Sequence, residues 1–293
     1  MGKVVSKLAL GTANFGLDYG LNNVSGKVSD HELFSIIEFA LQSGVKTFDT
    51  AQTYGDSEER LGRCSNLELQ IITKIGVGLD KDYHKNAVST SIETSLKNLN
   101  VDRLYAVLLH QPELLLGVNG IEILAELKFL KSQKMIEKIG VSIYSPEILH
   151  EIINIFEPDI VQAPFNVFDQ RLYVSGYAER LKSMGAEIHI RSAFLQGLLL
   201  MKNHELPARF QTRWAAVFER WFAHQKEFGH SALEIALSFC LEQSWADKVV
   251  VGVDNVKQLQ RLVEIETQSI SNIFASFAVE DELLITPSHW NEI

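Results

Sequence analysis

The chain has 293 residues, 46% of them hydrophobic and 22% charged, which supplies apolar mass for one large core and does not indicate disorder. A formal net charge of −10 argues against nucleic acid as a partner, because that binding rests on a net-basic surface, although a small anion in a local pocket remains compatible. The two cysteines, Cys64 and Cys240, give no disulfide framework or zinc spacing, and the apolar stretch within Met1–Leu10 is too short for a signal peptide, so a cytoplasmic protein without membrane segments is expected.

Short β-branched or apolar runs then alternate with longer amphipathic segments. A first strand is read at Lys7–Leu10, a helix over Asp30–Ser43 ended by Gly44, and a second strand at Val45–Asp49 followed by a helix that includes Ser57–Arg63. Leu69–Lys74 is the third strand. A helix around His84–Leu99 leads to a fourth strand at Leu104–Leu109, and one near Asn119–Gln133 leads to a fifth at Lys138–Val141. Ser145-Pro146 opens a further helix with proline in its first turn, and Asp159–Ala163, Glu187–Ile190 and Lys248–Val253 complete the strands.

Eight strands alternating with helices predict an α/β fold, a (β/α)8 TIM barrel forming a single domain over residues 1–293. An open doubly wound sheet gives the same alternation, but Gly11-Thr12-Ala13-Asn14-Phe15-Gly16 lacks the Gly-x-Gly-x-x-Gly spacing of a Rossmann turn. Pro207–Phe228, which holds Trp214 and Trp221, is read as a helical insertion between strands seven and eight, near the barrel mouth.

In such a barrel the active site is assembled at the carboxyl ends of the strands. Asp49 and Tyr54 follow strand two, Lys74 closes strand three and His110 follows strand four. Singly, each has a plain structural explanation: a helix cap, a packed ring, a solvated lysine, a satisfied core histidine. Together they are chemically coherent. A tyrosine with an ordinary pKa near ~10 needs a cationic neighbour to act at neutral pH, and a buried lysine needs a carboxylate.

The run Gly44-Val45-Lys46-Thr47-Phe48-Asp49-Thr50-Ala51-Gln52-Thr53-Tyr54-Gly55-Asp56-Ser57-Glu58-Glu59-Arg60-Leu61-Gly62 resembles the aldo-keto reductase family. Thr73-Lys74, Asp102-Arg103-Leu104-Tyr105 leading to His110, Ile139-Gly140-Val141-Ser142 and Val161-Gln162-Ala163-Pro164-Phe165-Asn166 extend the resemblance, which spans roughly Leu8 to Val263. It implies an NAD(P)H-dependent oxidoreductase without a metal, passing a hydride between a nicotinamide dinucleotide across the barrel mouth and a carbonyl or alcohol substrate: an aldehyde, a ketone or a sugar. The implied catalytic tetrad is Asp49, Tyr54, Lys74 and His110. Tyr54 would be the general acid/base, Lys74 would lower its pKa, Asp49 would hold Lys74 charged, and His110 would orient the carbonyl.

The resemblance also assigns cofactor contacts. Ser142 and Gln162 would meet the nicotinamide carboxamide, with Gly11 and Thr12 nearby; Arg191 and Ser192 end strand seven; Leu195, Gly197 and Lys202 belong to the loop that receives the pyrophosphate. Gly252, Val253, Asp254 and Gln258 begin the helix whose amino end would receive the adenosine phosphate. Three positions depart from the family's habit. Ile143 replaces an asparagine and removes one polar contact. Arg191 replaces an aromatic ring that stacks on the nicotinamide; a guanidinium can stack too, or meet an anionic substrate, or turn to a neighbouring carboxylate. Asp254 replaces a basic residue, so it would repel the 2′-phosphate of NADP and accept from the ribose hydroxyls of NAD, or simply cap a helix. The family's habit places NADP(H) first, with NAD(H) as the alternative.

Phe15, Tyr19, Phe165, Trp214 and Trp221 are candidates for the substrate pocket or for ordinary packing, and Pro287-Ser288-His289-Trp290 for a segment that closes over the site or docks on the barrel. Two other functions are weighed. A non-catalytic subunit that senses the dinucleotide on the same fold is opposed by the intact tetrad, and a metal-dependent sugar isomerase needs more ligands than Asp49 and His110.

Overall fold

The apolar and β-branched runs form eight parallel strands: β1 (Leu8–Gly11), β2 (Thr47–Asp49), β3 (Gln70–Ile75), β4 (Leu104–Leu109), β5 (Ile136–Ser142), β6 (Ile160–Pro164), β7 (Glu187–Arg191) and β8 (Lys248–Gly252). In the computed structural model these close in chain order, with β8 paired back to β1, so the expected (β/α)8 barrel is the observed fold. The structure describes residues 2–21, 23, 25–64, 69–76, 78–79, 84, 86–265 and 276–292.

Register gathers the strand ends that matter. Gly11 lies between Asp49 and Gly252, Ser142 opposite Gln162, and Arg191 opposite Pro164. Below them Ile72, Ala106, Leu108 and Ile160 make a small inner core, while the outward faces of the strands join the helices in one large apolar cluster that includes Phe48, Val107, Ile139 and Ile188. Gly140 permits the close approach of β5 to β6, because a Cβ there would lie 1.9 Å from the Ile160 carbonyl oxygen.

β4 has the expected bounds, and the other strands differ from expectation by one or two residues, for local reasons. Gly2–Lys7 is helical, so β1 starts at Leu8. Gly44 adopts φ +90° and Val45 N–H still bonds back to Ala40, which spends Val45 on the turn and starts β2 at Thr47. The helix expected from His84 begins at Ala87, with residue 85 outside the described residues. Pro146 opens a 3-10 turn over Pro146–Ile148, and the α-helix follows at Leu149–Ile155.

Helices Ala208–Arg213, Ala215–Phe228 and Ala232–Leu241 fill the segment between β7 and β8. Ser231 and Glu234 form a capping box at the start of the third. Trp221 is fully buried with its Nε1–H donated to Leu199 O at 3.1 Å, and Trp214 donates to Asp281 Oδ2 at 3.0 Å. Both tryptophans therefore anchor the insertion. The C-terminal segment docks: the Trp290 ring meets Phe210 edge-on at 5.1 Å and its Nε1–H reaches Leu284 O at 3.0 Å.

Candidate active site

The site is built on the turn that follows β2. Thr12, fully buried after β1, donates its hydroxyl to Asp49 O at 3.0 Å, and Ser57 Oγ donates to Thr12 O at 2.9 Å. Gln52 Nε2 bonds Ser91 O and Ser95 Oγ, both at 2.8 Å, tying the turn to helix Ala87–Leu99. Gly16 presses on its far side, where a Cβ would lie 1.7 Å from Tyr54 O. Two separate segments, Thr12 to Gly16 and helix Ala87–Leu99, thus fix the backbone that carries Tyr54.

Lys74, 1% exposed, donates to Asp49 Oδ1 at 2.5 Å and to Thr50 O at 3.1 Å. The other carboxylate oxygen, Oδ2, accepts Gln162 Nε2–H at 2.7 Å, and Gln162 Oε1 in turn accepts the Ser142 hydroxyl at 3.3 Å. A buried ion pair survives desolvation when its other hydrogen-bonding groups are also engaged, and this network engages both carboxylate oxygens and two of the ammonium donors. Burial, the largest single effect, would lower the Lys74 pKa, but the Asp49 carboxylate and Tyr54 together hold it above the ordinary value.

The Lys74 ammonium lies 5.1 Å from the centre of the half-buried Tyr54 ring, and the Tyr54 and His110 rings meet edge-on at 6.1 Å. His110 Nδ1 is 3.3 Å from Thr53 Oγ1. Burial first, then the charges of Lys74 and Arg191, push the His110 pKa down to about 4. The imidazole is therefore neutral near pH 7, with one donor and one acceptor nitrogen. All four expected catalytic residues come together at one end of the barrel.

The expected cofactor residues divide into groups. Ser142, Gln162 and Thr12 belong to the hydrogen-bond network around Asp49, while Gly11 is half-buried at the rim. Arg191 donates to Ile143 O at 3.0 Å and Ser192 Oγ at 3.3 Å, and its guanidinium lies 4.7 Å from the Tyr144 ring centre. The carboxylate partner considered for it is absent among the described residues. Ser192, Leu195, Gln196 and Gly197 all have positive φ, at 61°, 48°, 52° and 91°, so the chain after β7 is tightly turned; Leu195 is buried and Lys202 is exposed beyond it.

At the end of β8 Gly252 is exposed, and Val253 after it is buried. The Asp254 carboxylate accepts from Asn14 Nδ2 at 2.5 Å and from Gln258 Nε2 at 3.2 Å. Helix Val256–Glu264 is capped by Asn255, whose side chain accepts Gln258 N–H at 3.0 Å, which corrects the reading of Asp254 as the N-cap. Sequence reasoning missed Glu32, whose Oε1 accepts Val256 N–H at 2.6 Å, and Asn14. Neither carries a motif; only the closed barrel brings them to this helix.

Of the five pocket candidates, Phe15, Phe165 and Trp221 are fully buried, Trp214 nearly so, and Tyr19 alone is exposed, its hydroxyl accepting Gln196 Nε2–H at 3.2 Å. Phe165 is stacked on Phe239 at 5.2 Å, a core contact. Among the described residues no group of three or more His, Cys, Asp or Glu side chains could hold a metal, and no helix is long and apolar enough to cross a membrane.

A family model described as the aldo/keto reductase family matches residues 7–273. The chain is 25% identical over 290 residues to the aldo-keto reductase YhdN of Bacillus subtilis, covering 89% of this chain and 85% of that one. It is 33% identical over 150 residues to D-arabinose 1-dehydrogenase of Saccharomyces cerevisiae, a match covering 48% of this chain but only 43% of the yeast protein. Among solved structures, the holo form of aldo-keto reductase AKR11C1 from Bacillus halodurans superposes with a TM-score of 0.72 at 17% identity over 94% of each chain. The glycerol dehydrogenase AKR11B4 of Gluconobacter oxydans gives 0.69 at 23% identity, covering 90% of this chain and 88% of that one. At such identities the structural likeness speaks for the fold alone.

Proposed function

The chain belongs to the aldo/keto reductase family, and on that premise we propose that it is an NAD(P)H-dependent reductase of a small carbonyl compound, or the dehydrogenase of the corresponding alcohol, with Tyr54 as its acid/base. The observation that carries this reading is the placement of buried Lys74 between the Asp49 carboxylate and the Tyr54 ring, 2.5 Å from one and 5.1 Å from the centre of the other. A cation held there stabilises the tyrosinate left when Tyr54 gives its proton to a carbonyl oxygen. Asp49 keeps that lysine charged, and Gln162 keeps the carboxylate in place. Neutral His110, edge-on to Tyr54, has a ring N–H to offer the substrate oxygen.

A nicotinamide dinucleotide, when bound, supplies the hydride. The residues present fit one. Exposed Gly252 leaves the backbone bare where a Cβ would come within 3.2 Å of Asn14 Oδ1, and positive φ at Ser192, Leu195, Gln196 and Gly197 turns the chain tightly after β7. Ser142, Leu195, Lys202, Val253 and Gln258 remain assigned on the resemblance. Between the two dinucleotides, the carboxylates of Asp254 and Glu32 near the amino end of helix Val256–Glu264 support NAD(H) over the NADP(H) that the family's habit puts first.

The name of one relative, D-arabinose 1-dehydrogenase, supports polyhydroxylated compounds among the substrates. Buried, unpaired Cys64 and Cys240 accord with a reducing cytoplasm. The test is a fluorescence titration with NADH and NADPH, followed by turnover of an aldehyde panel by the wild type and Tyr54→Phe. The expected result is dinucleotide binding by both and a loss of about 10²–10⁴-fold in turnover for the variant. Binding of neither dinucleotide would overturn the reading.

A further inference from the structure

Charge immediately around Asp49 and Lys74 does not balance. Lys74 is paired with Asp49, and His110 is neutral, so these groups sum to zero. Arg191 adds a positive charge that no carboxylate answers among the described residues. Two other arginines of the barrel are answered: Arg60 pairs with Asp30 at 2.7 Å, and Arg171, which also donates to Tyr144 O, pairs with Asp169 at 2.9 Å and Glu282 at 3.0 Å. Half-buried and uncompensated, Arg191 gives up hydration without gaining a counter-ion.

Its geometry is also fixed. The bonds to Ile143 O and Ser192 Oγ, with Tyr144 against the guanidinium face, hold the group in place from three directions. A guanidinium carries five N–H donors, so these two bonds leave most of them available. A held guanidinium with spare donors suits a carboxylate or phosphate oxygen. The register puts Arg191 beside Pro164, two residues beyond Gln162, and thus at the same end of the barrel as the Asp49–Lys74 pair. Its charge is close enough to depress the pKa of His110.

Resting on the reductase reading, we propose that Arg191 recognises the anionic group of the substrate, which therefore carries a carboxylate or phosphate in addition to its reacting carbonyl. The dinucleotide's own pyrophosphate is the competing source of such an anion, and the experiment separates the two. Turnover is measured on pairs matched in carbon skeleton, succinic semialdehyde against butanal and D-glucuronate against D-glucose, with wild type, Arg191→Gln and Arg191→Lys. Dinucleotide dissociation constants are measured for all three proteins, and succinate is titrated calorimetrically into the wild type and Arg191→Gln.

The expected result is a kcat/KM about tenfold or more in favour of the anionic member for the wild type, collapsing in Arg191→Gln and partly kept in Arg191→Lys. Succinate should bind the wild type about tenfold more tightly than Arg191→Gln. A wild-type ratio near one, or a loss confined to dinucleotide affinity, overturns the inference and leaves the reductase standing. Failure of every protein to bind dinucleotide or turn over either member sinks the reductase reading instead; the inference about Arg191 then stands or falls on the succinate titration.

Discussion

Gln162 donates its amide N–H to Asp49 Oδ2 at 2.7 Å, on the opposite carboxylate oxygen from Lys74 at 2.5 Å, so the carboxylate is held from both sides. Replacing the amide by an apolar chain of similar length leaves one buried oxygen without a donor, a loss of about 1–3 kcal/mol. Gln162→Met should therefore unfold at lower denaturant and also turn over more slowly, because Asp49 is freed to swing from Lys74. Chemical denaturation and steady-state kinetics check this; unchanged stability would show that the amide is no strut for Asp49.

The backbone of Tyr54 is fitted against Gly16, where a Cβ would lie 1.7 Å from Tyr54 O, and Gly55 beside it holds φ +57°. Gly16→Ala must push the turn that carries the tyrosine. A displacement of about 1 Å at a reacting group costs on the order of 10²-fold in rate. The expected outcome is that loss in kcat with dinucleotide affinity largely kept. Gly117→Ala, whose Cβ would meet nothing closer than 3.5 Å, is the control, and equal effects from both would remove Gly16 from the argument.

The barrel was legible because each strand is a short apolar run between amphipathic segments, and the candidate site because Asp49 and Tyr54 share one continuous run, Gly44 to Gly62, with Lys74 and His110 at the ends of the next two strands. What escaped depends on chain closure. Glu32 meets Val256 across 224 residues and Asn14 meets Asp254 across 240, with no local signal for either. Asp254 and Asn255 are both good capping residues in sequence, and only the backbone decides: Asn255 is extended and bonds Gln258 N–H. The aromatic candidates could not be sorted either, since Phe165 and Trp221 look like pocket residues until the core closes over them.

His110 carries a pH signature. Its pKa falls from 6.5 to about 4 on folding, chiefly through burial. Above pH 6.5 neither state takes up a proton there. Between 6.5 and about 4 the unfolded chain binds one that the folded chain refuses, so stability drains away as pH falls through that window. His110→Gln should flatten this part of the stability profile. Imidazole resonances followed by NMR should show His110 titrating near 4, and a midpoint near 6.5 would contradict both the burial argument and the neutral donor it supplies.

Cofactor choice turns on two carboxylates. Asp254 is pinned by Asn14 and Gln258, and Glu32 is pinned by Val256 N–H, so neither is placed to swing clear of a 2′-phosphate near the amino end of helix Val256–Glu264. Asp254→Asn and Glu32→Gln each remove a charge while keeping a hydrogen-bonding oxygen. At about 4 Å, one unit charge repels another by ~1 kcal/mol in water and more where water is partly excluded, so each change should tighten NADPH binding about fivefold to tenfold and leave NADH binding nearly unchanged. Raised salt should narrow the wild-type gap between the dinucleotides, since these are charge–charge effects near the surface. If both variants keep the wild-type ratio of dissociation constants, the carboxylates act only as helix supports, and the preference must be set by other residues.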